Sequence, residues 1–165
     1  MDNFEVAIKG VALAARILNI KTPDVQFFND LNLTKKGINS IFLKDKWIIA
    51  FNEAWIESAN HLEIQVTSFH ETRHAFQYLV VTGEYKGNEA IDPQIISQWK
   101  QEIANYEQPS GVLQNDEDYL KQEIEIDAIA FTHKHMKVLY GVKTVIPKII
   151  EKDIHIYIEK FSQLR

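Results

Sequence analysis

The first third of the chain combines one helical pattern with several short apolar runs. Between Phe4 and Leu18, apolar residues recur every three or four positions, which predicts an amphipathic helix that ends near Asn19. Three later runs, Val25–Phe28, Ile38–Leu43 and Trp47–Phe51, are rich in β-branched and aromatic residues and predict strands. A short polar segment separates the last two runs, so we expect an antiparallel hairpin whose last strand is covered on both faces.

After the predicted strands, the spacing of apolar residues becomes helical and stays so. The predicted helices are Glu53–Ser58, Leu62–Val81 up to Gly83, Pro93–Tyr106 after Asp92, Asn115 or Asp116 to Tyr140 after a turn at Pro109-Ser110-Gly111, and Ile146–Leu164. The chain is therefore predicted to be α+β, with an N-terminal helix, a small antiparallel sheet of about three strands and a helical half. Because no linker or repeat is evident, we expect a single domain over residues 1–165.

The composition is that of a globular protein and narrows the choice of partners. A formal charge of −5 argues against nucleic acid and against an anionic membrane surface as partners. The sequence contains no leader with basic and apolar regions and no apolar run of about 18 residues, so we expect a cytoplasmic protein. Since the chain has no cysteine, a metal site must consist of histidines and carboxylates.

One segment of the predicted Leu62–Val81 helix carries a metal-binding pattern, His70-Glu71-Thr72-Arg73-His74. Two histidines four positions apart lie one turn apart on one helix face, so both imidazoles can reach one zinc ion. Glu71 lies about 100° around the helix from His70, where a carboxylate can take a proton from a zinc-bound water instead of ligating zinc. The pattern predicts one zinc ion per chain, held by His70 and His74, with Glu71 as general base.

A catalytic zinc needs a third protein ligand, and the downstream helix offers Glu123, Glu125 and Asp127. Glu123 and Asp127 share a helix face that borders the apolar side, whereas Glu125 lies about 200° from Glu123. We therefore expect Glu123 to bind zinc and Asp127 to accept the free ring N–H of a zinc-bound histidine. Glu125 stays open as the alternative ligand. Without a metal, Glu123 and Asp127 would be solvated acids on a helix surface.

Further polar residues have more ordinary interpretations. Arg73 lies on the most apolar stripe of the motif helix, so we expect its guanidinium either to be buried against an acidic or carbonyl partner or to extend into water. His133 and His135 are two positions apart and diverge on a helix, so they cannot ligate one ion together. We expect His61, His135 and His155 at the surface or at helix ends.

Together, His70-Glu71-x-x-His74 and the downstream Glu123-x-x-x-Asp127 resemble the gluzincin class of zinc metallopeptidases. The order of a helix, a strand hairpin, a motif helix and a glutamate-bearing helix is most similar to the minimal bacterial and phage zincins, such as the ImmA/IrrE-like peptidases. The resemblance implies a zincin-like fold in which His70, His74 and Glu123 hold zinc, Glu71 is the general base and Asp127 orients a histidine. It also implies that an edge strand within Ile38–Asn52 pairs with an extended substrate.

These observations favour a zinc-dependent metallopeptidase that hydrolyses a peptide bond in a peptide or protein substrate. One alternative is a catalytically weak zinc-binding regulatory or interaction module with a peptidase-like fold, encoded on a phage or another mobile element. Another is a metal-free helical interaction protein in which the motif is accidental. The donor that stabilises the oxyanion stays open among Tyr78, Tyr106, Tyr119 and His133. The polar loops Thr82–Asp92 and Gln108–Asp118 either border the substrate cleft or simply connect helices.

Overall fold

A computed structural model of the chain describes residues 1–109 and 116–163, with side chains described to residue 160. The chain divides into two compact units, residues 1–87 and 88–165, and the single-domain interpretation stays a prediction. The strands are β1 (Asp24–Phe28), β2 (Ser40–Leu43) and β3 (Ile48–Asn52). The helices are α1 (Asn3–Leu18), α2 (Leu31–Lys35), α3 (Glu53–Ser58), α4 (His61–Thr82), α5 (Pro93–Ala104), α6 (Glu117–Leu120), α7 (Glu123–Tyr140) and α8 (Glu151–Gln163).

The sheet of the first unit has three strands in the order β1-β3-β2. The predicted hairpin is confirmed, since β2 and β3 pair antiparallel with Phe42 opposite Ile49. The expectation of a purely antiparallel sheet is wrong, because β1 pairs parallel to β3, with Gln26 opposite Ala50. The short helix α2, which the apolar pattern did not predict, reverses the chain between β1 and β2. As a result, β3 returns in the direction of β1 and pairs beside it.

The core of the first unit lies between the sheet and helices α1 and α4. All five residues of β3 are buried, which confirms that this strand is covered on both faces. Helix α1 packs closely on α4 at Gly10, where an added Cβ would lie 2.8 Å from the Cβ of Ser68. The clustered core residues of this unit are Val6, Ala7, Val11, Ile49, Phe51, Ile56, Ala59 and Ile64.

Helix α4 has a strong local signal at each end. The Asn60 side chain accepts the backbone N–H of Glu63, and the Glu63 side chain accepts the backbone N–H of Asn60. This capping box satisfies two backbone N–H donors at the helix start. Gly83 ends the helix in a left-handed conformation, with φ of 75°. The prediction of a long helix that carries the motif is therefore confirmed to within one residue at each end.

The second unit is helical. Helix α5 begins at Pro93 as predicted, but α7 and α8 begin later than the pattern predicted. The expected continuous helix to Tyr140 is broken at Lys121-Gln122 into α6 and α7, because Gln122 has an extended backbone, with ψ of 133°. The last helix is preceded by a 3-10 turn at Lys148–Ile150, after Pro147. The predicted boundaries at Ser110, Gly111, Asn115 and Leu164 lie outside the described residues.

The α+β class is confirmed: α1 precedes the three strands in the sequence, and α3 to α8 follow them. Within the described residues, no helix combines the length and the apolar character needed to cross a membrane.

Candidate metal centre

Helix α4 places two imidazoles beside each other on one face. The Nε2 atoms of His70 and His74 lie 3.0 Å apart, and the two rings are nearly perpendicular, at 86°. Two nitrogens bound to one tetrahedral zinc at roughly 2.05 Å each would be about 3.3 Å apart. The pair thus needs a movement of only a few tenths of an ångström to hold one ion. The sequence-based pairing of His70 with His74 on one helix face is confirmed.

The ring orientation of His74 is set by a neighbour on the same helix. Its Nδ1 lies 2.8 Å from Oε1 of Gln77, a residue with no exposed surface. An amide oxygen only accepts hydrogen bonds, so the proton of a neutral His74 ring belongs on Nδ1 and the lone pair on Nε2. This tautomer directs the Nε2 lone pair towards His70, as a metal ligand requires. Gln77 was not predicted to contribute, although its position three residues after His74 is a usable sequence signal.

The carboxylate of Glu71 contacts the sheet. Ser40, the first residue of β2, donates its hydroxyl to Oε1 of Glu71 at 2.7 Å. The strand β2 is an edge strand of the sheet, so this bond joins the motif helix to the edge of the sheet. Sequence reasoning did not identify Ser40, because the residues are 31 positions apart and nothing in the local pattern joins them.

Arg73 is buried in the apolar stripe, as one of the two interpretations expected. It has no exposed surface, so the alternative that its guanidinium extends into water is wrong. Its guanidinium carbon lies 4.1 Å from the centroid of the Phe76 ring, a cation–π contact that compensates for part of the lost hydration. The expected acidic or carbonyl partner stays a prediction.

The two glutamates at the start of α7 have different surroundings within the second unit. Glu123 is half-buried and accepts a hydrogen bond from the hydroxyl of Tyr157 on α8. Burial, followed by this bond, raises the pKa of Tyr157 well above its usual value, and the charge of Asp127 adds to the shift. Glu123 and Asp127 therefore share the side of α7 that faces Tyr157, as their spacing of four residues predicted. Their predicted roles towards zinc stay predictions.

Glu125 lies elsewhere on α7 and is fully buried, at 0% exposure. Its Oε1 accepts the hydroxyl of Tyr106 at 2.5 Å, and its Oε2 accepts the hydroxyl of Tyr119 at 2.8 Å. Burial and the adjacent Glu125 carboxylate hold the pKa of Tyr119 well above its usual range, so Tyr119 stays a hydrogen-bond donor. Two tyrosine donors therefore orient the Glu125 carboxylate.

The four candidate oxyanion donors differ in the residues that they contact. Tyr106 and Tyr119 donate to Glu125, and Nδ1 of His133 pairs with the Thr144 hydroxyl at 2.8 Å. Tyr78 lies one turn beyond His74 and packs its ring against Phe42 of β2, with centroids 6.2 Å apart. Of the four proposed oxyanion donors, Tyr78 is therefore the one on the helix that carries the histidines.

The other histidines do not form a second centre among the described residues. His61 and His155 are exposed, as expected. Nδ1 of His135 lies 2.8 Å from the backbone oxygen of Phe131, one turn earlier on α7. His133 and His135 thus have separate partners, in agreement with the prediction that they do not ligate together.

Comparisons of the chain with protein-family models, with curated proteins and with solved structures found no match.

Proposed function

We propose that this protein is a zinc-dependent metallopeptidase that binds one zinc ion per chain. The observation that carries the proposal is the pair of imidazole nitrogens of His70 and His74, 3.0 Å apart, on the helix that also carries Glu71. A zinc ion bound there would polarise the scissile carbonyl and lower the pKa of a water molecule. His70 and His74 supply two neutral nitrogen ligands.

For the third ligand we propose Glu125 in place of Glu123. Two observations support this choice: Glu125 is fully buried, whereas Glu123 is half-buried, and two tyrosine hydroxyls orient the Glu125 carboxylate. A buried carboxylate needs a compensating charge or strong donors, and a metal ion supplies the former.

In the proposed reaction, Glu71 moves the proton. Its carboxylate accepts one proton from the attacking water while the water oxygen forms a bond to the peptide carbonyl carbon. The same group then delivers that proton to the amide nitrogen as the carbon–nitrogen bond breaks. The products are a carboxylic acid and an amine, so the overall reaction consumes one water and no other reagent. Tyr78 is the proposed donor to the developing oxyanion.

The edge strand β2 offers a place for an extended substrate. Its one partner among the described strands is β3, and an edge strand can accept the backbone of a further strand. Ser40 of β2 contacts the proposed base Glu71, so a peptide paired with this strand would pass close to the base. This placement follows the arrangement that the gluzincin resemblance implies.

The test compares metal content with turnover. We expect about one zinc per chain by elemental analysis of untagged protein, and cleavage of at least one member of a peptide library. Glu71→Gln should keep the zinc and lower kcat by about 100-fold or more, because general-base catalysis contributes roughly 10²–10⁴-fold. His74→Ala should lose both the zinc and the cleavage.

Three results would contradict the proposal in different ways. No zinc after reconstitution at neutral pH would mean that the motif is accidental. Zinc without cleavage would favour the regulatory or interaction module. Full activity in Glu71→Gln would remove the role assigned to Glu71.

A further inference from the structure

The hydroxyl of Ser40 connects the edge strand to the carboxylate of Glu71. Ser40 Oγ donates to Oε1 at 2.7 Å in a part-buried environment. In the described part of the chain, Ser40 is the hydrogen-bond donor to Glu71, and Oε2 accepts none. A hydrogen bond to one carboxylate oxygen fixes the plane of the group, so it decides where the other oxygen points.

The strand that carries Ser40 is itself held in place. Ser40 is paired with Phe51 of the fully buried strand β3. Two residues further along β2, Phe42 packs its ring against Tyr78, two turns after Glu71 on α4. Because alternate side chains of a strand point to the same face, Ser40 and Phe42 contact the same helix at two points. The Ser40 hydroxyl is therefore presented to Glu71 by two rigid elements, β3 and α4.

We propose that Ser40 is a positioning residue that orients Glu71 for proton transfer. The inference rests on the proposed function, since it assigns Ser40 a role towards the general base of that reaction. The Ser40 hydroxyl bonds to Oε1 of Glu71, so that Oε2 is the oxygen that faces the attacking water. The Ser40 hydroxyl thereby links the edge strand β2 to the proposed base Glu71. Loss of this hydroxyl affects the proton-transfer step more than peptide binding.

The main experiment compares two near-isosteric variants that differ in the hydroxyl, Ser40→Val and Ser40→Thr. In zinc-loaded protein we expect Ser40→Val to lower kcat by about 10–100-fold, the usual range for a partner that orients a reacting group. KM should change by less than about threefold and the zinc content should stay at the wild-type level. Ser40→Thr should recover most of the lost kcat. Ser58→Ala removes a hydroxyl that bonds to carbonyls of its own helix, and its kcat should equal that of wild type.

A merely structural role for Ser40 predicts a different pattern. If Ser40 acts through Glu71, Ser40→Val should have no further effect on kcat in a Glu71→Ala background, because residues that act as a unit are not additive. Equal losses in the two backgrounds would overturn the inference. A rise in KM with unchanged kcat would overturn it too, since it would assign Ser40 to substrate binding.

A metal-free measurement separates this inference from the proposed function. The thermal midpoints of apo wild type, Ser40→Val, Glu71→Ala and the double variant form a cycle that reports the contact itself. We expect the Tm loss of the double variant to be smaller than the sum of the single losses by about 2 °C or more. Additive losses would overturn the contact, even in an active enzyme. Coupled losses in a protein that binds no zinc would instead overturn the proposed function, and the role of Ser40 with it.

Discussion

The motif helix α4 and the glutamate-bearing helix α7 obtain their functional geometry from different parts of the chain. Helix α4 is capped by its own neighbours, Asn60 and Glu63, and carries both imidazoles and Glu71 within one short segment. Helix α7 has no side-chain cap from Gln122, the residue at its start. Its first N–H groups bond to Glu102 on α5, and its buried carboxylate is oriented by two tyrosines outside the helix. The geometry of α4 can therefore be predicted from the spacing of its residues, whereas that of α7 depends on tertiary packing.

The largest expected effect distinguishes the two glutamates of α7. Glu125→Gln should lower zinc affinity by more than about 100-fold, beyond the roughly 10–100-fold typical for loss of an outer partner. Glu123→Gln should change the affinity by less than about threefold, because the half-buried Glu123 is not a ligand in the proposed site. Competition with a chromophoric zinc chelator measures both constants.

Two controls make that measurement decisive. His74→Ala gives the affinity expected when a ligand is lost, and far-ultraviolet circular dichroism shows whether each variant is folded. If Glu123→Gln loses zinc while Glu125→Gln keeps it, the original sequence-based ligand set is right and our choice of Glu125 is wrong.

The part of the candidate site on α4 could be predicted from the sequence, because its residues lie within one short helical segment. A helix places positions 70, 71 and 74 at fixed angles, so the spacing alone predicts the His70–His74 pair. In α7 the same argument has less power to distinguish Glu123 from Glu125, because almost every residue from Ile124 to Thr132 is buried, with Ile129 the exception. A helix buried on several faces has no single apolar stripe to serve as reference. The choice between Glu123 and Glu125 therefore depends on how deeply each carboxylate is buried, which periodicity does not encode.

A smaller effect is expected from the neighbour that fixes the His74 tautomer. Gln77→Leu removes the acceptor of the Nδ1 proton, 2.8 Å away, and should lower zinc affinity by about 10–100-fold. Gln65→Leu is the matched control on the same helix, since Oε1 of Gln65 is buried without a hydrogen-bond partner in the described structure. An equal loss in both variants, measured by the same chelator competition, would mean that the effect is general damage to α4.

A weaker effect should come from the tyrosines that orient Glu125. Tyr106→Phe and Tyr119→Phe each remove one hydroxyl donor to that carboxylate and should lower zinc affinity by about 3–10-fold, at the low end for outer partners. Tyr157→Phe removes the donor to Glu123 and should leave zinc affinity within about twofold. A metal loss confined to Tyr157→Phe would reverse the assignment of the two glutamates.

The fold shows the same division between local and distant information. The boundaries of α3 and α4 and the β2–β3 hairpin follow from caps and turn residues beside them, and their prediction was accurate. The parallel pairing of β1 with β3 and the break before α7 depend on groups far away in sequence. Val138 is a further example: it follows the buried Ile124 and Phe131 at steps of seven residues, which puts the three on one face of α7, but it is 64% exposed near the end of that helix. Periodicity identifies an apolar face but does not tell how far along the helix a partner covers it.

The last expected effect concerns stability alone and compares the two helix starts directly. Asn60→Ala removes a local cap and should lower the free energy of unfolding by about 1 kcal/mol. Glu102→Ala should cost about 2 kcal/mol, because a carboxylate that accepts the N–H groups of Glu123 and Ile124 is lost and leaves both donors unpaired. Urea unfolding measures both values, with the exposed Glu159→Ala as a control that should change stability by less than about 0.5 kcal/mol. If Glu102→Ala were as mild as this control, α7 would start by local preference, and its dependence on a distant cap would be disproved.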